Sequence, residues 1–175
     1  MTSEGLTIEE EKQFIKLTEK LTGQVTKDLY NALASKFAFT AIEVVTLRVH
    51  EGKLEVLLTK RDSDDIFANG WHSPGSILRA SDAPEKYDTV GDYQSAFKRV
   101  EQEIKVPFSV VPKFVGIILQ RHLRGVDNGI VFISEIAEAP GKGQFFPVDA
   151  IPEPFLEHQR AIIAMAVEGW KKIRI

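Results

Sequence analysis

At the centre of the chain, Trp71-His72-Ser73-Pro74-Gly75-Ser76 is followed, after a polar stretch, by Ser95-Ala96-Phe97-Lys98-Arg99-Val100-Glu101-Gln102-Glu103-Ile104-Lys105-Val106. The first piece carries Pro and Gly, which interrupt regular structure. The second places Ala96, Phe97, Val100 and Ile104 on one helical face. Pro107 ends it, since Pro cannot donate the next helical hydrogen bond. A glycine loop running into an acidic helix suits phosphate and metal chemistry. Backbone N–H groups hold phosphate oxygens, and carboxylates one turn apart offer the oxygen ligands that Mg²⁺ prefers. The same pattern also serves a loop followed by a charged surface helix. Arg99 and Glu103, four residues apart, are spaced to pair with each other on such a helix.

The elements around this centre follow from periodicity. Residues 7–36 read as helical: Thr7 with Glu10 forms a capping-box pattern, and Phe14, Leu17, Leu21, Val25, Leu29 and Leu33 recur at steps of three or four. Gly23 marks a break, with Thr26 as a second N-cap candidate. We expect residues 1–36 to form a helical extension and residues 37–175 the main domain. The single apolar stripe needs a partner, either its own domain or a second copy in a homodimer. Residues 37–50 and 54–60 predict two strands joined by Glu51-Gly52-Lys53, the second ending in Lys60-Arg61. Asp62, Asp64 and Asp65 then form an acidic cluster read as a solvated turn, and His72 as a surface histidine. Residues 78–92 form a polar insert, either a lid or a disordered loop.

Residues 114–123 and 129–136 predict two further strands, with hairpin chemistry in 125–129. Gln120, Arg121, His122 and Arg124 gather near the end of the first, suited to an anion or to solubilising the turn; Glu135 lies near the end of the second. Phe145-Phe146-Pro147-Val148-Asp149 leads into a last helix with Pro154 at its start. Its apolar side is Ile162, Ile163, Ala166 and Trp170; Glu157 and His158 lie in its first turns, with a surface role as their default.

Taken together, the arrangement over residues 37–172 resembles the Nudix family, whose signature is G-x5-E-x7-R-E-U-x-E-E-x-G-U (U, bulky aliphatic), usually preceded by W-x-x-P-G. Trp71, Pro74 and Gly75 match the lead-in, and Ser76 stands at the first signature Gly. Placing Val100 and Val106 on the aliphatic positions sets Lys98 on the Arg, Arg99, Gln102 and Glu103 on the three helix glutamates, and Lys105 on the last Gly. A register one residue later would bury Glu101 without a partner, which is rarely tolerated. The interval from Ser76 to Lys98 exceeds the signature by eight residues, so 78–92 holds an insertion, and Asp92 is the nearest counterpart of the leading glutamate.

The resemblance implies an α/β/α sandwich with a mixed sheet. It implies binding, and in active members hydrolysis, of a nucleoside diphosphate linked to another moiety, with Mg²⁺ or Mn²⁺ as Lewis acid. It makes Glu103 the catalytic and metal-binding carboxylate, with Glu135 as a replacement metal ligand. Lys60, Arg61, Gly75, Ser76, Arg99 and Arg121 become the ligand-binding candidates. Two of the three metal positions carry Arg99 and Gln102, so we expect binding with weak or absent hydrolysis. The alternatives are a diverged pyrophosphohydrolase that recruits ligands outside the helix, and a dimeric scaffold with a vestigial pocket.

Composition agrees with an ordinary globular domain of 175 residues and net charge −3. The absence of cysteine excludes disulfides, thiolate metal sites and thiol nucleophiles. Basic residues are not bunched, which argues against duplex nucleic acid as a partner. No apolar run is long enough to span a membrane, and the acidic start is unlike a secretion signal. A cytoplasmic location is expected.

Overall fold

A computed structural model describes residues 5–21, 25–84 and 91–173. Among the described residues, four α-helices, α1 (Ile8–Thr18), α2 (Lys27–Ala34), α3 (Gln94–Ile104) and α4 (Arg160–Ile173), accompany seven strands. These are β1 (Phe39–His50), β2 (Lys53–Lys60), β3 (Trp71–His72), β4 (Gly75–Ile77), β5 (Lys113–Arg121), β6 (Val126–Ser134) and β7 (Gln144–Pro147).

The sheet is mixed. Its main order is β3-β2-β1-β6-β5, with β4 paired to β1 and β7 to β2. β1 runs parallel to β6 and antiparallel to β2 and β4. β1 can serve both β4 and β2 because it is long: Ala41, Ile42 and Glu43 pair with β4, and Leu47 to His50 with β2. Both faces of β1 and β6 are covered, which is why these strands read as near-continuous apolar runs. On one face α4 packs Ile162, Ile163, Ala166 and Trp170 against Val45, Leu47, Val131 and Ile133. On the other, α3 packs Ala96, Phe97 and Val100 against Ile42, Val44 and Phe132. The result is the expected α/β/α sandwich. Among the described residues no helix is long and apolar enough to cross a membrane.

The capping-box pattern holds, with Thr7 and Glu10 bonded reciprocally at the start of α1. Thr26 caps α2 by accepting from the Leu29 N–H. Gly23 lies outside the described residues. α1 buries none of its residues, and Phe14, Leu17 and Leu21 remain exposed. α2 instead packs on the domain: Tyr30 stacks on Phe39 with ring centroids 5.3 Å apart.

Two expectations at chain reversals are corrected. The β5–β6 turn is closed by the paired His122 and Gly125 backbones, so β6 begins at Val126, within the stretch expected to turn. Pro154 does not open the last helix. It lies in a loop where its carbonyl accepts from the Trp71 N–H (2.8 Å), and α4 starts six residues later at Arg160.

Lys105, standing at the final glycine of the signature, caps α3 in the left-handed conformation (φ 58°, ψ 35°). That conformation crowds a Cβ and favours glycine. Lys105→Gly is therefore expected to stabilise the fold by about 1 kcal/mol, read as a higher midpoint in urea denaturation.

Candidate functional site

The loop and helix singled out in the sequence do meet, and the contact between them is polar. Arg99 on α3 donates from Nε to Ser76 Oγ (2.8 Å) and from Nη2 to the Ile77 carbonyl (3.2 Å). Its two terminal nitrogens hold both oxygens of Asp82 at 2.7 and 2.6 Å. Asp82 belongs to a single turn within the insert (Ala80–Asp82), and its other contact is the Arg79 N–H. The expected Arg99–Glu103 pair does not form: Glu103 is turned toward Thr59, and the guanidinium is satisfied by its bidentate grip on Asp82. Asp92 is used as a local cap, accepting from the Gln94 N–H. Residues 85–90 of the insert lie outside the described residues.

The side chain of Asp82 is 3% exposed, and the Arg99 guanidinium holds its carboxyl below the usual carboxylate range. A depressed carboxylate contributes stability that is present above its unfolded pKa, here near 3.8, and lost as pH falls through the folded value. Asp82→Ala is expected to cost about 2 kcal/mol at neutral pH, between a surface and a buried ion pair. The difference from the unaltered chain should shrink below pH 4, as followed by denaturation at several pH values.

Glu103 points the other way, toward β2. Its Oε1 lies 2.8 Å from Thr59 Oγ1, which also lies 3.0 Å from His72 Nε2. The Nδ1 of His72 faces the Ser73 carbonyl at 2.8 Å and must carry the ring proton, leaving Nε2 as an acceptor. One hydroxyl proton cannot serve both His72 and an ionised Glu103. The network is complete when Glu103 is protonated, and burial pushes its pKa upward in the same sense. His72 is buried, not on the surface as its loop position suggested. Desolvation lowers its pKa to about 3, so its 3.7 Å approach to Glu103 is not an ion pair near neutrality.

Beside this network lies a cavity of about 260 Å³. Its walls come from distant parts of the chain: Lys27, Tyr30 and Asn31 of α2, Glu43 of β1, Arg61 and residues 64–67 after β2, Gly75 and Ser76 of β4, Arg124 and Asp127 at the β5–β6 turn, and His158 and Gln159 before α4. Several buried polar atoms of these residues make no hydrogen bond: Glu43 Oε2, Arg61 Nε, Ser73 Oγ, Arg124 Nε and Asp127 Oδ1. Burial raises the Glu43 carboxyl to about 8, against an opposing pull from Arg61. Gly75 makes room for it, since a Cβ there would stand 2.8 Å from Glu43 Oε2. Asp65, expected to be solvated, is half-buried and accepts from the Phe67 N–H and from Arg124. Asp64 is exposed and pairs with Lys27 at 2.6 Å.

The structure therefore gathers Arg61, Gly75 and Ser76 at one cavity. It places Lys60 outside, over the Trp71 ring, and Arg121 in a neighbouring groove. Glu135 lines a separate pocket with Val110, Lys113 and Trp170. His158, given a surface role from the sequence, is half-buried with its ring 4.6 Å from that of His122, and its pKa falls to about 4 through desolvation. Sequence reasoning missed Glu43 and Asp127. Glu43 did carry a signal, as a carboxylate inside the apolar run Ala-Ile-Glu-Val-Val of β1.

The resemblance implies a divalent metal on α3. The residues present there do not fit one: Glu103 is shared with a neutral histidine through Thr59, position 102 carries an amide, and Arg99 occupies the remaining position. Among the described residues no group of three or more His, Asp or Glu is arranged to hold a metal ion.

Solved structures with the same architecture decide what fold this is. A MutT NUDIX hydrolase from Burkholderia pseudomallei superposes with a TM-score of 0.56 at 15% identity, covering 74% of this chain and 98% of that one. The fold is that of the Nudix hydrolases. The NUDIX domain of Shewanella oneidensis NrtR, solved with ADP ribose, is similar at TM-score 0.56 and 17% identity, covering 86% of this chain and all of that one. A UDP-X diphosphatase matches 95% of this chain and 81% of its own at TM-score 0.56 and 12% identity. No protein-family model and no curated protein matches the sequence.

Proposed function

We propose that this Nudix-like chain binds a nucleoside-diphosphate-linked small molecule and hydrolyses it weakly or not at all. The observation that carries the binding is the cavity beside Glu43, whose buried and unpartnered donors and acceptors match a ligand offering both. A buried polar group without a partner costs free energy, so a ligand that satisfies several at once gains affinity. Arg61, Gly75 and Ser76 contribute to this site from the expected set. Weak hydrolysis is supported by the Arg99–Asp82 clamp. It sets a guanidinium, already neutralised, where the family resemblance puts a metal-binding carboxylate.

The second reading, a diverged Mg²⁺- or Mn²⁺-dependent pyrophosphohydrolase, draws on Glu103. Its raised pKa and its closeness to Glu43 suit a group that exchanges a proton with substrate. The extension 1–36 belongs to the binding unit in part, through α2, while the exposed stripe of α1 is the surface for a homodimer. We place the protein in the cytoplasm and assign it no duplex nucleic acid.

A single panel separates the readings. ADP-ribose, a dinucleoside polyphosphate, a coenzyme A derivative and a nucleoside triphosphate are each tested for turnover with Mg²⁺ and with Mn²⁺, and for binding by calorimetry, beside Glu103→Gln. Binding without turnover is the expected result. Metal-dependent turnover abolished in Glu103→Gln would establish the hydrolase instead. No binding of any of the four would reject the ligand-binding function.

A further inference from the structure

The polar cavity shares one wall with a second space. Phe67, His122 and His158 line it and also line a second, wider groove of about 960 Å³. Their rings form one continuous surface between the two spaces, with Phe67 5.6 Å from His122 and 5.3 Å from His158. The polar faces of this wall are committed inward. His122 Nε2 faces Asp127 Oδ2 at 2.8 Å, and its Nδ1 accepts from the Arg124 N–H.

Beyond the wall the surroundings change character. Phe155 and Leu156, both buried, line the groove, and Leu123, 79% exposed, stands at its rim. Its charged residues are Arg121, which is exposed, and Glu157, which is drawn off by Arg160 at 2.7 Å. An apolar groove of this kind is unusual on a soluble surface unless something occupies it.

We propose that the ligand is amphipathic: its nucleoside-diphosphate end occupies the polar cavity, and an apolar chain attached to that end lies in the groove. This rests on the binding function proposed above and narrows it to nucleoside diphosphates that carry an alkyl, acyl or prenyl group. The three rings shared by both spaces favour one two-part ligand over a separate protein partner, because a ligand seated in the cavity already lies against rings that form the side of the groove. Burying each methylene of that chain should tighten binding about fourfold, until the groove is filled.

The test uses the full chain and P²-alkyl esters of ADP, from methyl to decyl, compared with ADP and ADP-ribose by calorimetry. Affinity is expected to rise steadily with chain length, and Leu123→Asp to collapse the ratio between the decyl ester and ADP. The exposed position of Leu123 leaves the core of the variant intact, which thermal melting confirms. Equal affinity at every chain length, with ADP still bound, would overturn the apolar subsite and leave the proposed function standing. Absence of binding by ADP, ADP-ribose and all esters would overturn both. A length dependence undiminished in Leu123→Asp would place the chain elsewhere and overturn the assignment of the groove.

Discussion

Replacing Glu43 by Gln is expected to stabilise the protein by a few kcal/mol at pH 8 while changing little at pH 5. The carboxyl is buried among Arg61, Asp127 and Glu103, and desolvation raises its pKa to about 8 from 4.5. A raised folded pKa contributes stability that is full below the unfolded value and is lost as pH rises through the folded one. The unfolded chain ionises near 4.5, so each pH unit between there and 8 favours unfolding by at most about 1.4 kcal/mol. Two histidines act in the opposite sense at the lower end. His72 and His158 have folded pKa values of about 3 and about 4, so the unfolded chain binds their protons first, and their contribution to stability rises with pH up to 6.5. The unaltered chain should therefore lose stability between pH 6.5 and 8 more steeply than Glu43→Gln, in which Glu103 is still buried with a raised pKa. Urea denaturation across that range reads the difference directly, and parallel curves for the two proteins would show that Glu43 is ionised in the fold. A ligand that donates a hydrogen bond to Glu43 would favour the carboxylate, and proton release on binding would then be visible in calorimetry run in two buffers.

Gly125→Ala is expected to cost about 3 kcal/mol, the upper end of what overpacking usually costs. A Cβ on Gly125 would lie 1.9 Å from the carbonyl oxygen of Ala34 and 2.8 Å from its carbonyl carbon. These are backbone atoms at the end of α2, so no side-chain rotation relieves the clash. Either the β5–β6 turn or α2 must move. Since Lys27, Tyr30 and Arg124 meet at the cavity, the same substitution should weaken ligand binding. It should also speed hydrogen exchange in residues 27–36. Gly52→Ala is the control: its Cβ meets nothing within 4 Å, and the cost comes only from φ +75°, about 1 kcal/mol. Equal losses in the two variants would mean that α2 does not bear on the turn as described.

These two residues also mark the boundary between what sequence and tertiary structure each decide. Local pattern was sufficient for the buried faces of the helices. Ala96, Phe97, Val100 and Ile104 are the buried face of α3 as their spacing required, and Ile162, Ile163, Ala166 and Trp170 are that of α4. Thr7 and Glu10 cap α1 because both partners lie within one helical turn. The order of these elements, with the Trp-Pro-Gly lead-in, carried the resemblance to the Nudix family, and the resemblance implied the fold.

The partners of polar groups were not legible in the same way. Arg99 pairs with Asp82, seventeen residues back across the insert, and not with Glu103 one turn ahead, because Thr59 of β2 draws Glu103 to the other side of the helix. His72 became buried because Thr59 and the Ser73 carbonyl were there to satisfy its ring. The cavity draws its walls from α2, β1, β4, the turn at Gly125 and the approach to α4. No periodicity relates residues so far apart in the chain. The sequence by itself determined which faces are apolar and carried the family resemblance that implied the fold; only the tertiary structure decided which charges meet, because burial makes each polar contact depend on neighbours supplied from elsewhere in the chain.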